Sequence, residues 1–291
     1  MLRHRPDPVD FLILGAGWTS QFLIPELHRC GITHAATTTT GRDNTIPFKF
    51  DPESADLEPY ERLPSAETVL ITFPLRGHGQ SKHITSLYRK VHGEKNRWIQ
   101  LGSSGIFNKE REAIAGEHGG WSTEESEYDR SDPRAIAEDE LRECVGGCVL
   151  NLSGLYGGER KPRNWLGRLA KSKDDVRARV SVHFVHGEDV ARAIVATHRN
   201  FTEGKRWIVT DLRVYDWWDL ILSFSALVDE EERESVEERE KRLLFGKWVG
   251  ELMVEEGVRA LPRSMGVLGR KLDSRGFWRT MEIWPRHGRL A

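Results

Sequence analysis

Cysteine is scarce in this chain: three residues in 291. Cys144 and Cys148 form a Cys-x-x-x-Cys spacing without the second pair a zinc site needs. A disulfide framework is excluded at this size, and a reducing compartment, hence a cytoplasmic location, is expected. An excess charge of either sign is also missing. Lys and Arg number 43 against 45 Asp and Glu, a formal net charge of -2, so no global field draws nucleic acid or an anionic membrane. No apolar run approaches the ~18 residues a membrane helix needs, and the opening Met1-Leu2-Arg3-His4-Arg5-Pro6 is too polar for a secretory leader. The 11 histidines include no His-x-x-x-His and no His/Asp pairing at ligand spacing, so no metal is expected. Gly102-Ser103-Ser104-Gly105 is one residue short of a Gly-x-Ser-x-Gly elbow, which argues against a serine hydrolase.

What is present begins at Phe11. Phe11-Leu12-Ile13-Leu14 is an apolar run broken by Gly15 and Gly17 and followed by an amphipathic stretch to Leu27. A strand feeding a glycine turn and then a helix builds a phosphate site. The first glycine allows the sharp turn, the second lets backbone N–H groups approach a pyrophosphate, and the helix N-terminus adds partial positive charge. Trp18, Thr19 and Ser20 complete that turn. Ser20 replaces the third glycine of Gly-x-Gly-x-x-Gly and is still small enough for close helix–strand packing.

Further elements alternate. Strands are expected at Phe11–Leu14, Thr33–Thr40, Thr45–Phe50, Glu67–Thr72, Arg97–Leu101 and Gly147–Leu152. Helices are expected at Ser20–Arg29, Ser81–His92 and, behind the Asp132-Pro133 start signal, Arg134–Glu143. Such alternation implies right-handed βαβ units, an α/β fold and a doubly wound parallel sheet. Beyond it, Val180–Val185 and Arg206–Thr210 read as strands, and Glu188–Asn200 and Trp217–Leu227 as helices. The mixed-sign run Asp229–Arg242 reads as a solvated helix face, with a partner-binding surface as the alternative. Trp217, Trp218, Trp248, Trp278 and Trp284 crowd the C-terminal third, read as core or lobe packing or else as an aromatic-lined pocket.

The order of these pieces resembles the extended short-chain dehydrogenase/reductase superfamily, the epimerase/dehydratase-like Rossmann group. Four landmarks carry the resemblance: Gly15/Gly17, Leu101-Gly102-Ser103-Ser104-Gly105-Ile106-Phe107, Asn151-Leu152-Ser153-Gly154-Leu155-Tyr156-Gly157-Gly158, and His183-Phe184-Val185-His186-Gly187-Glu188-Asp189-Val190-Ala191. The resemblance implies a Rossmann domain over residues 1–155, with 180–211 returning to the sheet. It implies a small, mostly helical substrate lobe from 156–179 and 212–291, a small-molecule substrate, and pairing of two copies through helices beside the sheet. It also implies that Ser103 hydrogen-bonds a substrate oxygen and that Ser104, Tyr156 and His186 lie on the substrate side.

A Tyr-x-x-x-Lys acid/base pair is implied on the next helix, and here the chain departs: Arg134 stands in place of Tyr and Glu138 in place of Lys. Arg cannot release a proton near neutral pH. Three readings stay open. Arg134 and Glu138 form an i,i+4 ion pair that holds the helix; Arg134 is an electrostatic clamp on a substrate oxygen; or Tyr128, Glu127 or His186 supplies the proton. The loss also leaves open a non-catalytic dinucleotide binder with a redox-sensing or regulatory role.

For the cofactor, Thr37-Thr38-Thr39-Thr40-Gly41-Arg42 offers hydroxyls and a guanidinium where an acid would select a free ribose 2′-hydroxyl. NADP is preferred over NAD, with Thr40 and Arg42 reading the 2′-phosphate. Phe73, Pro74 and Leu75, after the fourth strand, are expected along the cofactor path. The short basic loop at Arg160, Lys161 and Arg163 is either solvated or in touch with an anion.

Overall fold

The computed structural model describes residues 6–108, 120–226, 235–288 and 290. Its centre is a seven-stranded, all-parallel sheet. In spatial order the strands are Arg206–Val209, Cys148–Leu152, Arg97–Ser103, Ala66–Ile71, Val9–Leu14, His34–Thr38 and Ile46–Pro47. The chain therefore starts mid-sheet, winds outward to one edge, and returns to build the other half. That is the doubly wound Rossmann order, with its switch point between Val9–Leu14 and Ala66–Ile71.

Strand alternation explains the three layers. Phe11 and Ile13 point to one face and pack with Leu23, Leu27, Val190 and Ile194 of the Ser20–Arg29 and Gly187–Arg199 helices. Leu12 and Leu14 point to the other, against Ile84, Leu87, Ala137 and Leu141 of the Gln80–His92 and Pro133–Val145 helices. All four strand residues are fully buried, as expected for a central parallel strand covered on both sides. Asp132 starts the Pro133–Val145 helix as the sequence predicts, its Oδ1 accepting from the Arg134 N–H at 2.7 Å.

Several expected strands are shorter. The second ends at Thr38 rather than Thr40, because Thr38 Oγ1 accepts from the N–H groups of Gly41 and Arg42 and begins a turn. The third pairs only at Ile46–Pro47, where proline removes a ladder donor. Val180–Val185 divides at His183. Ser181–Val182 runs antiparallel to Tyr215–Asp216, while Phe184–His186 runs parallel to Gly154–Tyr156. Of the 180–211 stretch, only Arg206–Val209 enters the central sheet.

A separate apolar cluster forms from later residues. Trp217, Trp218, Ile221 and Phe224 of the Trp217–Ala226 helix pack on Phe245, Val249 and Leu252 of the Val236–Glu255 helix. Tyr156, Val176 and Phe184 join them. Of the Asp229–Arg242 charge run, residues 229–234 lie outside the described residues; from Val236 the run is helical and starts on a Ser235/Glu238 capping box. Phe277, Trp278 and Met281 pack into the sheet's own core beside Trp207 and Val209, which for Trp278 is the core packing that was one of its readings. The Trp278 indole also donates to Thr210 O at 3.0 Å. No helix among the described residues is long and apolar enough to cross a membrane.

Candidate functional site

A cleft of about 760 Å³ opens at the carboxyl ends of the strands that flank the switch point. Gly15 to Thr19 and Thr38 to Thr40 line one end with Arg42; Thr72 to Pro74 lie midway; Leu101 to Ser103, Arg134, Leu152, Ser153, Leu155 and Arg160 line the other. Three arginines and no carboxylate appear among these lining residues, so a chain with almost no net charge focuses positive potential here.

The glycine turn is held from both sides. Thr37, fully buried, accepts from the Gly15 N–H through its Oγ1 at 2.9 Å, and Thr72 Oγ1 donates to Gly15 O. Gly15 sits at φ +95°, and a Cβ there would lie 2.7 Å from Thr72 Oγ1. Gly17 differs: a Cβ would meet nothing within 4 Å, because it would project into the cleft. The N–H groups of Trp18 and Thr19 take no acceptor among the described residues, while those of Ser20, Gln21 and Phe22 turn back into the helix. Two free donors, an open glycine face and a helix start form a cradle that fits a pyrophosphate. The Trp18 indole donates to Gly157 O at 3.3 Å, and the Arg160 guanidinium lies 4.3 Å over its ring. The far loop is thereby pinned beside the turn.

At the other end, Ser103 closes the Arg97–Ser103 strand. Its Oγ accepts from the Gly105 N–H at 3.1 Å, and its hydroxyl proton has no acceptor among the described residues. Arg134 reaches this point from the first turn of its helix. Nη2 donates to Leu101 O at 3.0 Å, and the buried Nε is unpartnered. Burial pushes the Arg134 pKa down, with Glu138 pulling it back up, but a guanidinium remains charged at neutral pH.

The Arg134–Glu138 ion pair, one of the three readings left open, is not among the ion pairs of the described residues. Glu138, fully buried, turns the other way. Its Oε2 takes Arg206 Nη1 at 2.6 Å and Asn151 Nδ2 at 2.8 Å, and its Oε1 takes the Ser103 N–H at 3.2 Å. Burial pushes the Glu138 carboxyl up, while Arg206, Asn151, Arg134 and the Ser103 N–H oppose it. Asn151 Nδ2 also donates to Ser103 O at 3.1 Å. Glu138 thus braces the Ser103 backbone from behind and does not face the cleft. Gly102 is the space it needs: a Cβ would lie 2.5 Å from Asn151 Nδ2 and 2.6 Å from Glu138 Oε1. Sequence reasoning missed Asn151 and Arg206. The one available signal was a polar Asn and a charged Arg inside otherwise apolar strand segments.

Tyr128, considered above as a proton source, is engaged elsewhere. Its hydroxyl donates to both Asp139 oxygens at 2.8 and 2.9 Å, and Arg206 lies 4.2 Å over its ring. Burial and Asp139 raise the phenol pKa, the wrong direction for a base. Ser20, Leu75, Ser104, Tyr156 and His186 do not line the cleft. Ser20 and Leu75 are buried, Leu75 in the sheet core. Ser104 is buried behind Ser103, with its carbonyl accepting from Arg270 Nη1 at 2.8 Å. His186 caps the Gly187–Arg199 helix, its Nδ1 accepting from the Glu188 N–H at 3.2 Å, and its ring stacks 3.7 Å from that of His287. Burial, aided by His287, lowers its pKa. His186, Glu188 and His287 bring ligand-capable atoms within 4.8 Å of one another, a grouping hidden by the linear spacing of the histidines. The His287–Glu188 contact at 2.8 Å belongs to the docking of the last residues onto Asp189, which accepts from the N–H groups of Arg286 and His287.

The fold and the position of this cleft define a Rossmann-type α/β protein. Solved structures share that fold along nearly the whole chain. A dTDP-glucose 4,6-dehydratase from Bacillus anthracis in complex with NAD has a TM-score of 0.60 at 10% identity, covering 97% of this chain and 94% of its own. RMD from Pseudomonas aeruginosa complexed with NADPH gives 0.57 at 14%, covering 96% and 93%. Vestitone reductase from alfalfa gives 0.58 at 15%, covering 94% and 92%. At these identities the likeness is one of fold. No protein-family model matches the sequence, and no curated protein matches it.

Proposed function

We propose that this chain binds NAD(P)(H) and moves a hydride between the nicotinamide and a small carbonyl or hydroxyl substrate, as an atypical extended short-chain reductase or epimerase. The observation that carries the reading is one continuous cleft with the phosphate cradle of Gly15 to Thr19 at one end and Ser103 with Arg134 at the other. Solved structures with this fold hold NAD in one case and NADPH in another, so the fold itself favours neither coenzyme.

The coenzyme supplies the hydride. This chain's residues do the rest. The N–H groups of Trp18 and Thr19 hold the pyrophosphate, and Thr40 and Arg42 read the ribose 2′ position, which favours NADP. The free Ser103 hydroxyl donates to the substrate oxygen and orients it. Arg134 places a fixed positive charge where that oxygen becomes negative in the transition state, in a partly dry site where such charge is most effective. Because Arg134 cannot release a proton, the oxygen is protonated by water from the open mouth. Glu138 is a positioning residue: it fixes the Ser103 backbone through the buried Asn151–Arg206 network.

The test is steady NADPH consumption across a panel of small carbonyl compounds, with Arg134→Ala compared with wild type. The reading expects turnover to fall about 100-fold with coenzyme affinity nearly unchanged. Equal loss of both, or of neither, would overturn Arg134's role. Tight NADPH binding with no turnover on any substrate would favour a regulatory dinucleotide binder.

A further inference from the structure

Of the short basic loop at Arg160, Lys161 and Arg163, Arg160 is the residue that lines the cleft. It closes a tight turn. The Gly157 N–H donates to Arg160 O at 3.0 Å and the Arg160 N–H to Gly157 O at 3.1 Å. Gly157 and Gly158 both take positive φ within it, at +113° and +54°. The turn is seated against the start of the Ser20–Arg29 helix, where a Cβ on Gly158 would lie 3.7 Å from the Phe22 ring. Trp18 is gripped twice: its indole N–H donates to Gly157 O at 3.3 Å, and its ring carries the Arg160 guanidinium 4.3 Å from the centroid.

The way this arginine is held differs from that of the buried ones. Arg206 is tied to Glu138 and Asp139, and Arg263 to Asp216. Among the described residues, Arg160 has no carboxylate within ion-pair distance and no acceptor for its side-chain N–H groups. An acid would fix the guanidinium and cancel its charge; an aromatic ring fixes it and leaves the charge in place. A guanidinium that rests on a ring by its face also keeps its edge N–H donors for an oxyanion. The ring in question belongs to Trp18, whose own backbone N–H is one of the two free donors of the phosphate cradle. Uncancelled charge and free donors thus converge on one place from two distant segments.

We propose that Arg160, set on the Trp18 ring, closes over the coenzyme's pyrophosphate and donates to its oxygens. The proposal deepens the dinucleotide reading above and rests on it. The N–H groups of Trp18 and Thr19 meet the bridge from the glycine turn, and Arg160 meets it from the Gly157–Arg160 turn. A helix start offers only partial positive charge, so the charge of two phosphates calls for a full cation as well. The three arginines of the cleft then meet three different charges: Arg42 the ribose 2′-phosphate, Arg160 the bridge, and Arg134 the oxygen that becomes negative during the reaction.

The experiment compares NADPH and 2′-phospho-ADP-ribose, which carry the bridge, with adenosine 2′-monophosphate, which does not. Affinities are read by calorimetry and by displacement of NADPH. Arg160→Gln should weaken both bridge-bearing ligands about tenfold or more and leave adenosine 2′-monophosphate within about twofold. Arg160→Lys keeps the charge without the planar fork and should recover part of the loss. Arg42→Gln should instead weaken all three, since each carries the 2′-phosphate. A strut that only pins the loop to Trp18 would lower Tm and weaken all three ligands alike on Arg160→Gln, and that result overturns the proposal. Equal NADPH affinity in Arg160→Gln and wild type also overturns it and leaves the proposed function standing. A wild-type protein that binds no dinucleotide overturns both.

Discussion

Arg206 takes the carboxylate of Glu138 at 2.6 Å, and Arg134, one turn earlier on the Glu138 helix, has no ion-pair partner among the described residues. Two residues spaced to bind each other are separated by a third that arrives 68 positions later. The consequence is a division of labour. Glu138 stiffens the back of the Ser103 strand end, and Arg134 keeps its charge for the cleft.

Energetics can separate these roles. Glu138→Ala leaves buried Arg206 with Asp139 as its one acidic partner among the described residues and should cost about 3 kcal/mol of stability, the low end of the penalty for breaking a buried pair on one side. Arg134→Ala removes only a hydrogen bond to Leu101 O and should cost about 1 kcal/mol. Urea unfolding of the single and double variants gives the coupling. The Glu138/Arg206 pair should couple strongly and the Glu138/Arg134 pair by less than about 0.5 kcal/mol. A large Glu138/Arg134 coupling would restore the helix-staple reading.

The three glycines of the cleft should respond differently to a methyl group. Gly15→Ala combines a positive φ with a 2.7 Å approach to Thr72 Oγ1, so it should lower both Tm and coenzyme affinity. Gly17→Ala meets only open space in the protein. It should leave Tm within about 2 °C while weakening NADPH binding tenfold or more, since the new methyl would project into the place proposed for the pyrophosphate. Gly102→Ala drives a methyl into Asn151 and Glu138 and should destabilise by about 2 kcal/mol. Thermal scans with and without NADPH distinguish all three.

The proposed preference for NADP rests on the edge of the cleft beside Thr40. Arg42 is exposed there, its nearest acid being Asp43 at a loose 3.9 Å, and is thus free to meet a 2′-phosphate. Arg42→Glu should weaken NADPH binding by about 1.4 kcal/mol or more, a tenfold change, and leave NADH equal or better. Calorimetry with both coenzymes decides this. An unchanged ratio would remove Arg42 from the specificity pocket.

Much of the fold was legible because local signals and the global packing agree. Phe11 to Leu14 had to be buried on both faces, and Asp132-Pro133 had to start a helix. The boundaries at Thr38 and Ile46–Pro47 were less legible, since they depend on where one hydroxyl turns back and where one proline breaks a ladder. The turn from Gly15 to Thr19 could be read because its chemistry is contiguous in sequence. The brace behind Ser103 could not, because Glu138, Asn151 and Arg206 come from three distant segments whose meeting is set by sheet order. Tyr156 and His186 followed the resemblance toward the substrate side, yet here they sit under the last residues of the chain, where Tyr156 OH donates to His287 O at 3.3 Å. Nothing in a linear pattern announces that the final residues fold back over that loop.

The junction between the central sheet and the helical cluster carries two buried titrating groups of opposite sense. His183 is neutral by construction. Its Nδ1 contacts Arg213 O at 2.8 Å and its Nε2 accepts from the Leu272 N–H at 3.1 Å, so the ring proton sits on Nδ1 and a second would destroy an accepted bond. Burial and nearby Arg270 push it down to about 4. Asp211 is pushed up to about 6 by burial, against hydrogen bonds from Tyr215 and the Arg213 N–H. The depressed histidine contributes stability that is complete above its unfolded value near 6.5 and is lost as pH falls toward 4, up to about 3 kcal/mol. The raised carboxyl contributes stability that is complete below its unfolded value near 3.8 and is lost as pH rises through 6, again about 3 kcal/mol. Between pH 4 and 6 the two slopes oppose each other, so for this pair the wild-type curve should be nearly flat. His183→Gln removes one slope, and its stability should then fall from pH 4.5 to 6.5. Asp211→Asn removes the other, and its stability should rise over the same range. Urea midpoints at three pH values measure both, and parallel curves for the two variants would show that neither group titrates in this window.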